Sequence, residues 1–380
     1  MMPSLSKWST VGANGNSLRL ESLKGIRTMR KESLTFLKKL LSTPSPSGFE
    51  SKIQRVCKTY VAPYVDKVYK DVHGNQYALR NPEGKMRVML AGHVDEIALM
   101  VNHIDSDGFL GFLPIGGIDP SVLDGQRVRV HADKGDVIGV IGRRAIHLTD
   151  LADRGKPMKM HQMWIDIGAR NKKDAEKSVS IGDPATIDVG FIELKNGRIV
   201  ARALDDRIGA FIIIETMRLI AKRKVNCAVY CVTTVQEEVG LRGATTSAYE
   251  CDPHVGVAVD VSHATDHPDC DSKRYGHFKL GEGPILFRGP NINPVLAKQL
   301  VDVARKKRIP YQMEGAPRGT GTDANVMQLS RGGVATGLIG VPNRYMHSPV
   351  EMVALKDAER CAQLLADWIC SLKPSMSYIP

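Results

Sequence analysis

The sequence predicts an α/β fold: a mixed, mainly parallel sheet sandwiched by helices, with a small β-rich domain inserted into it. Three features predict this. Apolar strand-like runs alternate with helical periods at both ends of the chain. Between residues 97 and 199 that texture gives way to short β-like runs separated by Gly and Asp turns. Outside the insertion, the apolar runs end in His, Asp or Glu.

The elements follow in order. "KESLTFLKKLLSTPSPSGFE" spaces apolar residues three and four apart from Lys31, a helix that Ser42-Thr43-Pro44 stops. A second helix spans Glu50 to Tyr60, and "DVHGNQYALR" signals a hairpin turning at His73-Gly74-Asn75. "MRVMLAGHVDE" predicts a buried strand ending at His93. The insertion carries "GFLGFLPIGG", "GQRVRVHA", "GDVIGVIG", "MWIDIGA" and "DPATIDVGFIEL", with no long helix. "VARALDDRIGAFIIIETMRLIAKRK" then predicts an amphipathic helix after an acidic turn. The strand "NCAVYCVTT", the helical "LRGATTSAYE" and the strand "HVGVAVDV" come next. A polar loop from Ser262 to Gly283 and a helix from Pro294 to Arg308 lead to the strand "VATGLIGV". A loop with His347 and a last helix from Leu355 to Leu372 end the pattern. Strand and helix alternating in this way predict a mainly parallel sheet covered on both faces. The domain boundaries expected are 31–96 with 200–375 for the main unit, 97–199 for the insertion, and 1–30 for a flexible N-terminal extension.

Composition narrows the function classes. Aromatics make up 6% of residues, too few for a single-stranded nucleic-acid stacking surface. The net charge of +11 is spread among acids without a long basic block, which predicts a solvated surface and no nucleic-acid partner. No apolar run reaches the roughly 18 residues of a membrane span, so no membrane partner is expected. The cysteines fall largely in apolar runs and form no CxxC pair. They are expected to be reduced and buried, as in the cytoplasm.

In open α/β sheets, sites gather beyond the carboxyl ends of the strands. Those ends deliver His93 and Asp95, Glu237 and Glu238, Asp260, and His347, while a helix start delivers Asp205 and Asp206. His and carboxylate suit zinc and similar divalent ions. A single zinc needs three or four of them, so this larger set implies two ions sharing a carboxylate and a water. His93 and Asp95, two apart on an extended chain, face the same side, so one can bind metal while the other holds the imidazole. In "TVQEEVG" one carboxylate of the pair can bind metal while its neighbour moves a proton. The loop residues His263, Asp266, His267, Asp269 and Cys270 lack a regular element to hold them and are read as no metal site. His131, His147 and His161 are read as surface residues. "PIGGIDPSVLDGQRV" lacks the Lys-Ser/Thr of a phosphate loop.

"GHVDEIALMVNHIDSDGFL", "ALDDRIGA", "TVQEEVGLRGA", "VAVDVSHATD" and "GTGTDANVMQLSRGGVATGLIGVPNRYMHSPVEMV" resemble, in order, the signature blocks of a family of dinuclear-metal aminopeptidases. That family includes glutamyl aminopeptidase, deblocking aminopeptidase and the tetrahedral (TET) peptidases, and some members carry an endoglucanase label. The resemblance runs from about Lys31 to Leu372 and implies a zinc-exopeptidase-like fold. It implies one ion on His93 and Asp260, another on Glu238 and His347, and Asp205 bridging both. Glu237 would be the general base and acid, and Asp95 would orient His93. Zinc or cobalt are the expected cofactors and short peptides the expected substrates. The insertion would drive homo-oligomerisation, often to a tetrahedral dodecamer. Gly92 departs from the family's commoner Ala. Arg318, Gly321, Thr322 and Asp323 are candidate substrate contacts, and a basic residue (Lys273, Arg274 or Arg318) would favour acidic N-terminal side chains. An N-acyl amino acid deacylase with the same metal centre is the alternative. A glycosidase resting on the paired carboxylates is a more distant one, and a non-catalytic scaffold a weaker one still.

Overall fold

The computed structural model describes residues 29–151, 155–156 and 158–380. The expected N-terminal extension, up to residue 28, lies outside the described residues. Helices α1 (Lys31–Ser42) and α2 (Ser51–Val61) pack side by side, with Phe36 stacked on Tyr60 at 3.9 Å between ring centroids. The hairpin read at His73-Gly74-Asn75 forms β1 (Lys67–Lys70) and β2 (Gln76–Arg80), and β3 (Arg87–His93) follows as a buried strand.

The chain then leaves to form a closed antiparallel barrel. Its strands are β4 (Ala98–Ile104), β5 (Leu110–Ile115), β6 (Arg127–Ala132), β7 (Gly135–Arg143) and β8 (Met163–Asp166). After the short α3 (Lys172–Ala175), β9 (Pro184–Ile187) closes it, in the order β4-β5-β8-β7-β6-β9. Alternation decides which side chains fill it: Leu99, Val101, Leu110, Phe112, Val128 and Val130 are buried within one cluster. The run "DPATIDVGFIEL" does not stay together. Its second part, β10 (Ile192–Leu194), turns away to pair with β11 (Arg198–Ala201) in a separate small sheet.

Helix α4 (Leu204–Ile220) corrects the amphipathic reading. Every residue from Leu204 to Met217 is buried, because the helix packs on β3 and is covered by α1 and by α9 (defined below). Arg207 and Glu215 mimic a wet face in the sequence but are paired inside. Arg207 binds Glu96, and Glu215 accepts from Ser33 Oγ at 2.9 Å and from Tyr60 Oη at 2.5 Å. The rest alternates: β12 (Ala228–Thr234), α5 (Arg242–Cys251), β13 (Val255–His263), α6 (Ser272–Tyr275), β14 (Ile285–Arg288) and α7 (Pro294–Lys307). Then come β15 (Gln312–Gly315), α8 (Ala324–Met327), β16 (Ala335–Asn343), β17 (Glu351–Ala354) and α9 (Leu355–Ser371).

Among the described residues the main sheet has eight strands in the order β1-β2-β12-β3-β13-β16-β14-β15. Its centre, β12-β3-β13-β16, is parallel, so four carboxyl ends open on one edge. Register sets Thr234 beside His93 and Asp260 beside Gly340. Helices α1, α2, α4 and α9 share a core on one face, and α5 and α8 cover the other.

Gly92 has a local reason. A Cβ there would lie 2.9 Å from the backbone of Gly209 and of Ala210 in α4, so the strand approaches the helix as only glycine allows. Gly92→Ala should therefore lower the unfolding free energy by about 1–3 kcal/mol, the cost of overpacking a tight core. Urea unfolding followed by tryptophan fluorescence measures it.

Candidate active site

Sharp backbone turns precede or carry several of the candidate side chains, while His93 is the last residue of β3 and Asp260 stands three residues before the end of β13. Ala203, just before α4, has φ 56°, Gln236 before Glu237 has φ 54°, and Tyr345 and His347 have φ 63° and 60°. Non-glycine residues rarely adopt this left-handed region, and strain of this kind concentrates at functional sites. The Asp205–Asp206 peptide is cis.

These turns bring together residues far apart in the chain. His93 Nε2 lies 3.2 Å from Asp205 Oδ1, and His347 Nε2 lies 3.2 Å from Asp205 Oδ2. One carboxylate thus presents one oxygen to each imidazole. Glu238 Oε2 is 3.7 Å from His347 Nε2, and Glu237 Oε2 is 3.8 Å from His93 Nε2. Asp260 joins from β13: donor atoms of His93, Asp206 and Asp260 lie within 4.8 Å of one another, as do those of His93, Asp205 and Glu238.

Asp95 stands behind this group, fully buried. Its Oδ1 accepts from Glu237 N at 3.1 Å, and its Oδ2 from Glu238 N at 3.2 Å and from Ser47 Oγ at 2.6 Å. His93 Nδ1 faces Asp95 Oδ1 at 3.4 Å, long for a hydrogen bond. The same carboxylate thus fixes the loop carrying Glu237 and Glu238 and addresses the His93 ring. The glycine-rich "PIGG" turn after β5 reaches over the site from the barrel. A Cβ on Gly116 would sit 3.3 Å from Glu238 Cβ, and one on Gly117 would sit 3.5 Å from His347 Nδ1. Gly116 is held to glycine by its φ of 77° and by the nearness of Ile97 and Glu238, whereas Gly117 would leave room for a Cβ.

The electrostatics are those of too many acids in too little water. Burial, with Asp260, Asp323 and Glu238 adding repulsion, pushes Glu237 up to about 10. Burial and Asp205 push Glu238 up to about 8, and burial also lifts Asp206 and Asp260 well above the usual carboxylate range. Asp205 moves the other way. Burial opposes its ionisation, but hydrogen bonds with His347 and His93 hold it below that range. Asp205 raises His347 to about 9.

A family model described as M42 glutamyl aminopeptidase matches residues 74–364. The chain belongs to this M42 family. As an M42 member it is a peptide hydrolase of the aminopeptidase kind. It is 39% identical over 347 residues to the lysyl aminopeptidase of Pyrococcus furiosus, an alignment covering 90% of this chain and 98% of that one. Among solved structures, a TET aminopeptidase from a marine sediment thaumarchaeote superposes with a TM-score of 0.86 at 35% identity, covering 90% of this chain and 98% of that one. The TET1 peptidase of Pyrococcus horikoshii superposes with a TM-score of 0.81 at 31% identity, covering 90% of this chain and 100% of that one; it assembles into a tetrahedron or a large octahedral shell.

M42 peptidases are metal-dependent, and the residues here fit a cation. Buried Glu238 Oε1 and Asp206 Oδ2 have no hydrogen-bond partner among the described residues. Such crowded acids call for positive charge among them.

Of the residues marked in the sequence of this M42 peptidase, His93, Asp95, Asp205, Glu237, Glu238, Asp260 and His347 converge. Arg318, Gly321 and Thr322 line the adjoining cleft. Asp323 does not: it is buried below the wall, where its Oδ2 accepts from Thr234 Oγ1 at 2.6 Å. Lys273 and Arg274 are exposed away from the cleft lining, with Arg274 over the Tyr275 ring. Asp266 is taken by Arg344, with Oδ1 and Oδ2 at 2.8 and 2.7 Å. His131 is not a surface residue: its side chain is 8% exposed and its ring bonds Asp136 and Thr186.

Glu351 went unmarked in the sequence. Its Oε2 accepts from Asp205 N and its Oε1 from His347 N, both at 2.9 Å, so it sets both ends of the shared-carboxylate arrangement. A Glu four residues beyond His347 was the available signal. Glu351→Ala should weaken zinc binding about 10–100-fold, the usual cost of losing a group that orients ligands. Calorimetric zinc titration measures this loss.

Proposed function

We propose that this enzyme removes N-terminal residues from short peptides with two divalent cations, zinc or cobalt. In this reading His93 and Asp260 hold one ion, Glu238 and His347 the other, and Asp205 is shared. The observation that carries it is the Asp205 carboxylate, whose oxygens each face a different imidazole at 3.2 Å. When bound, the pair supplies Lewis-acid chemistry: an acidified shared water and a polarised peptide carbonyl.

The remaining work falls to the chain itself. Glu237 takes the proton from the water and returns it to the departing amine. It is buried and proton-avid, and its place beside His93 leaves its carboxylate facing the cleft. Asp95 keeps Glu237 and Glu238 in place by accepting both their backbone N–H groups. Glu351 does the same for Asp205 and His347.

The reading extends to assembly. Leu113, Ile138 and Val140 stand on the outside of the barrel with 54%, 48% and 47% of their surface exposed. Apolar side chains left outside in this way suit contacts between copies, so the barrel carries the contacts of a tetrahedral homo-dodecamer. The free cysteines, most of them buried, suit the reducing cytoplasm. No helix among the described residues is long and apolar enough to cross a membrane.

Glu237→Gln should retain zinc in a calorimetric titration while kcat on a leucyl anilide falls about 10²–10⁴-fold. Turnover at the wild-type rate would rule out the proton-carrier role. Faster cleavage of N-acetyl amino acids than of aminoacyl anilides would favour the deacylase. For the assembly, light scattering should give a mass of many subunits, and Val140→Asp should lower it.

A further inference from the structure

One wall of the cleft has chemistry that peptide hydrolysis does not use. Ser262 lies two residues beyond Asp260 on β13, hence on the same face and about 7 Å along the strand. Its Oγ donates to Glu314 Oε2 at 2.9 Å. Glu314 sits on β15 in register with Phe287 of β14, and both line the cleft together with Ser262, Ala316, Leu338 and Met346. Between them, Gly340 keeps the floor open: a Cβ there would stand 2.9 Å from Ser262 Cβ and 3.0 Å from Phe287 Cε2.

The slot therefore has apolar sides and a carboxylate. Glu314 is half-buried, and no cation pairs with it among the described residues. A carboxylate withdrawn from water without a cation costs free energy that a cationic ligand would offset. Arg318, a basic side chain on this cleft, lies on an exposed stretch of loop, where water screens it.

We infer that Glu314 is a specificity-determining residue that directs the enzyme to peptides beginning with lysine or arginine. This rests on the aminopeptidase reading above. The methylene stem of such a side chain lies along Phe287 and Leu338, and its charged head meets the Glu314 carboxylate. Leucine fills the same walls without the charge pair, and glutamate meets a like charge.

The test compares kcat/KM for lysyl, arginyl, leucyl and glutamyl anilides on the full-length, zinc- or cobalt-loaded protein and its Glu314→Gln and Glu314→Lys variants. Wild type should favour lysyl and arginyl, with glutamyl last. Glu314→Gln should lower the lysyl-to-leucyl ratio about 10–100-fold, the weight of a hydrogen bond to a charged group, and Glu314→Lys should raise the glutamyl-to-lysyl ratio. A merely structural Glu314 would depress all substrates together and leave the ratios unmoved, which would overturn the inference. Wild-type preference for leucine or glutamate would overturn it as well. No turnover of any anilide would overturn the aminopeptidase reading and this inference with it.

Discussion

Carboxylates shut away from water repel one another and resist ionisation, and this constraint governs the whole site. Asp205, Asp206, Glu237, Glu238 and Asp260 crowd around His93, all with little access to solvent. Among the described residues the two imidazoles answer them directly, and both lean on Asp205. An arrangement of this kind is tolerable when positive charge comes to occupy it. The backbone hydrogen bonds into Asp95 and Glu351 are the protein's means of holding the group together until it does.

The fold supplies the geometry that this requires. Parallel strands bring several chain segments to one edge in register, so that His93, the Glu237–Glu238 turn and Asp260 are neighbours although they are remote in sequence. Helix α4, buried along its first four turns, sets Asp205 against them. The turn after β5 presses glycines against Glu238 and His347, which ties the barrel to the site. The barrel and the sheet edge therefore meet at this turn.

Much of this was legible in the sequence. A strand buried on both faces reads as an apolar run, so a His or Asp at its end stands out, and His93, Glu238, Asp260 and His347 could be picked from one sequence. The parts that were not legible depend on contacts across the chain. Glu351 opens a strand of four residues and looks like a surface acid until its two backbone partners are seen. Arg207 and Glu215 imitated the polar face of an amphipathic helix because their partners Glu96, Ser33 and Tyr60 lie in other elements. Glu314 escaped for the same reason: β15 is short, and the role of the residue comes from Ser262 and Phe287 beside it. The sharp backbone turns at Gln236 and His347 have no signature in residue type at all.

Anomalous scattering from crystals of active, zinc-loaded protein tests the shared-carboxylate arrangement most directly. Two strong peaks should appear about 3.5–4 Å apart, one on each side of Asp205, with His93 and Asp260 at one and His347 and Glu238 at the other. A single peak, or none within reach of these side chains in protein that still turns over substrate, would contradict the account.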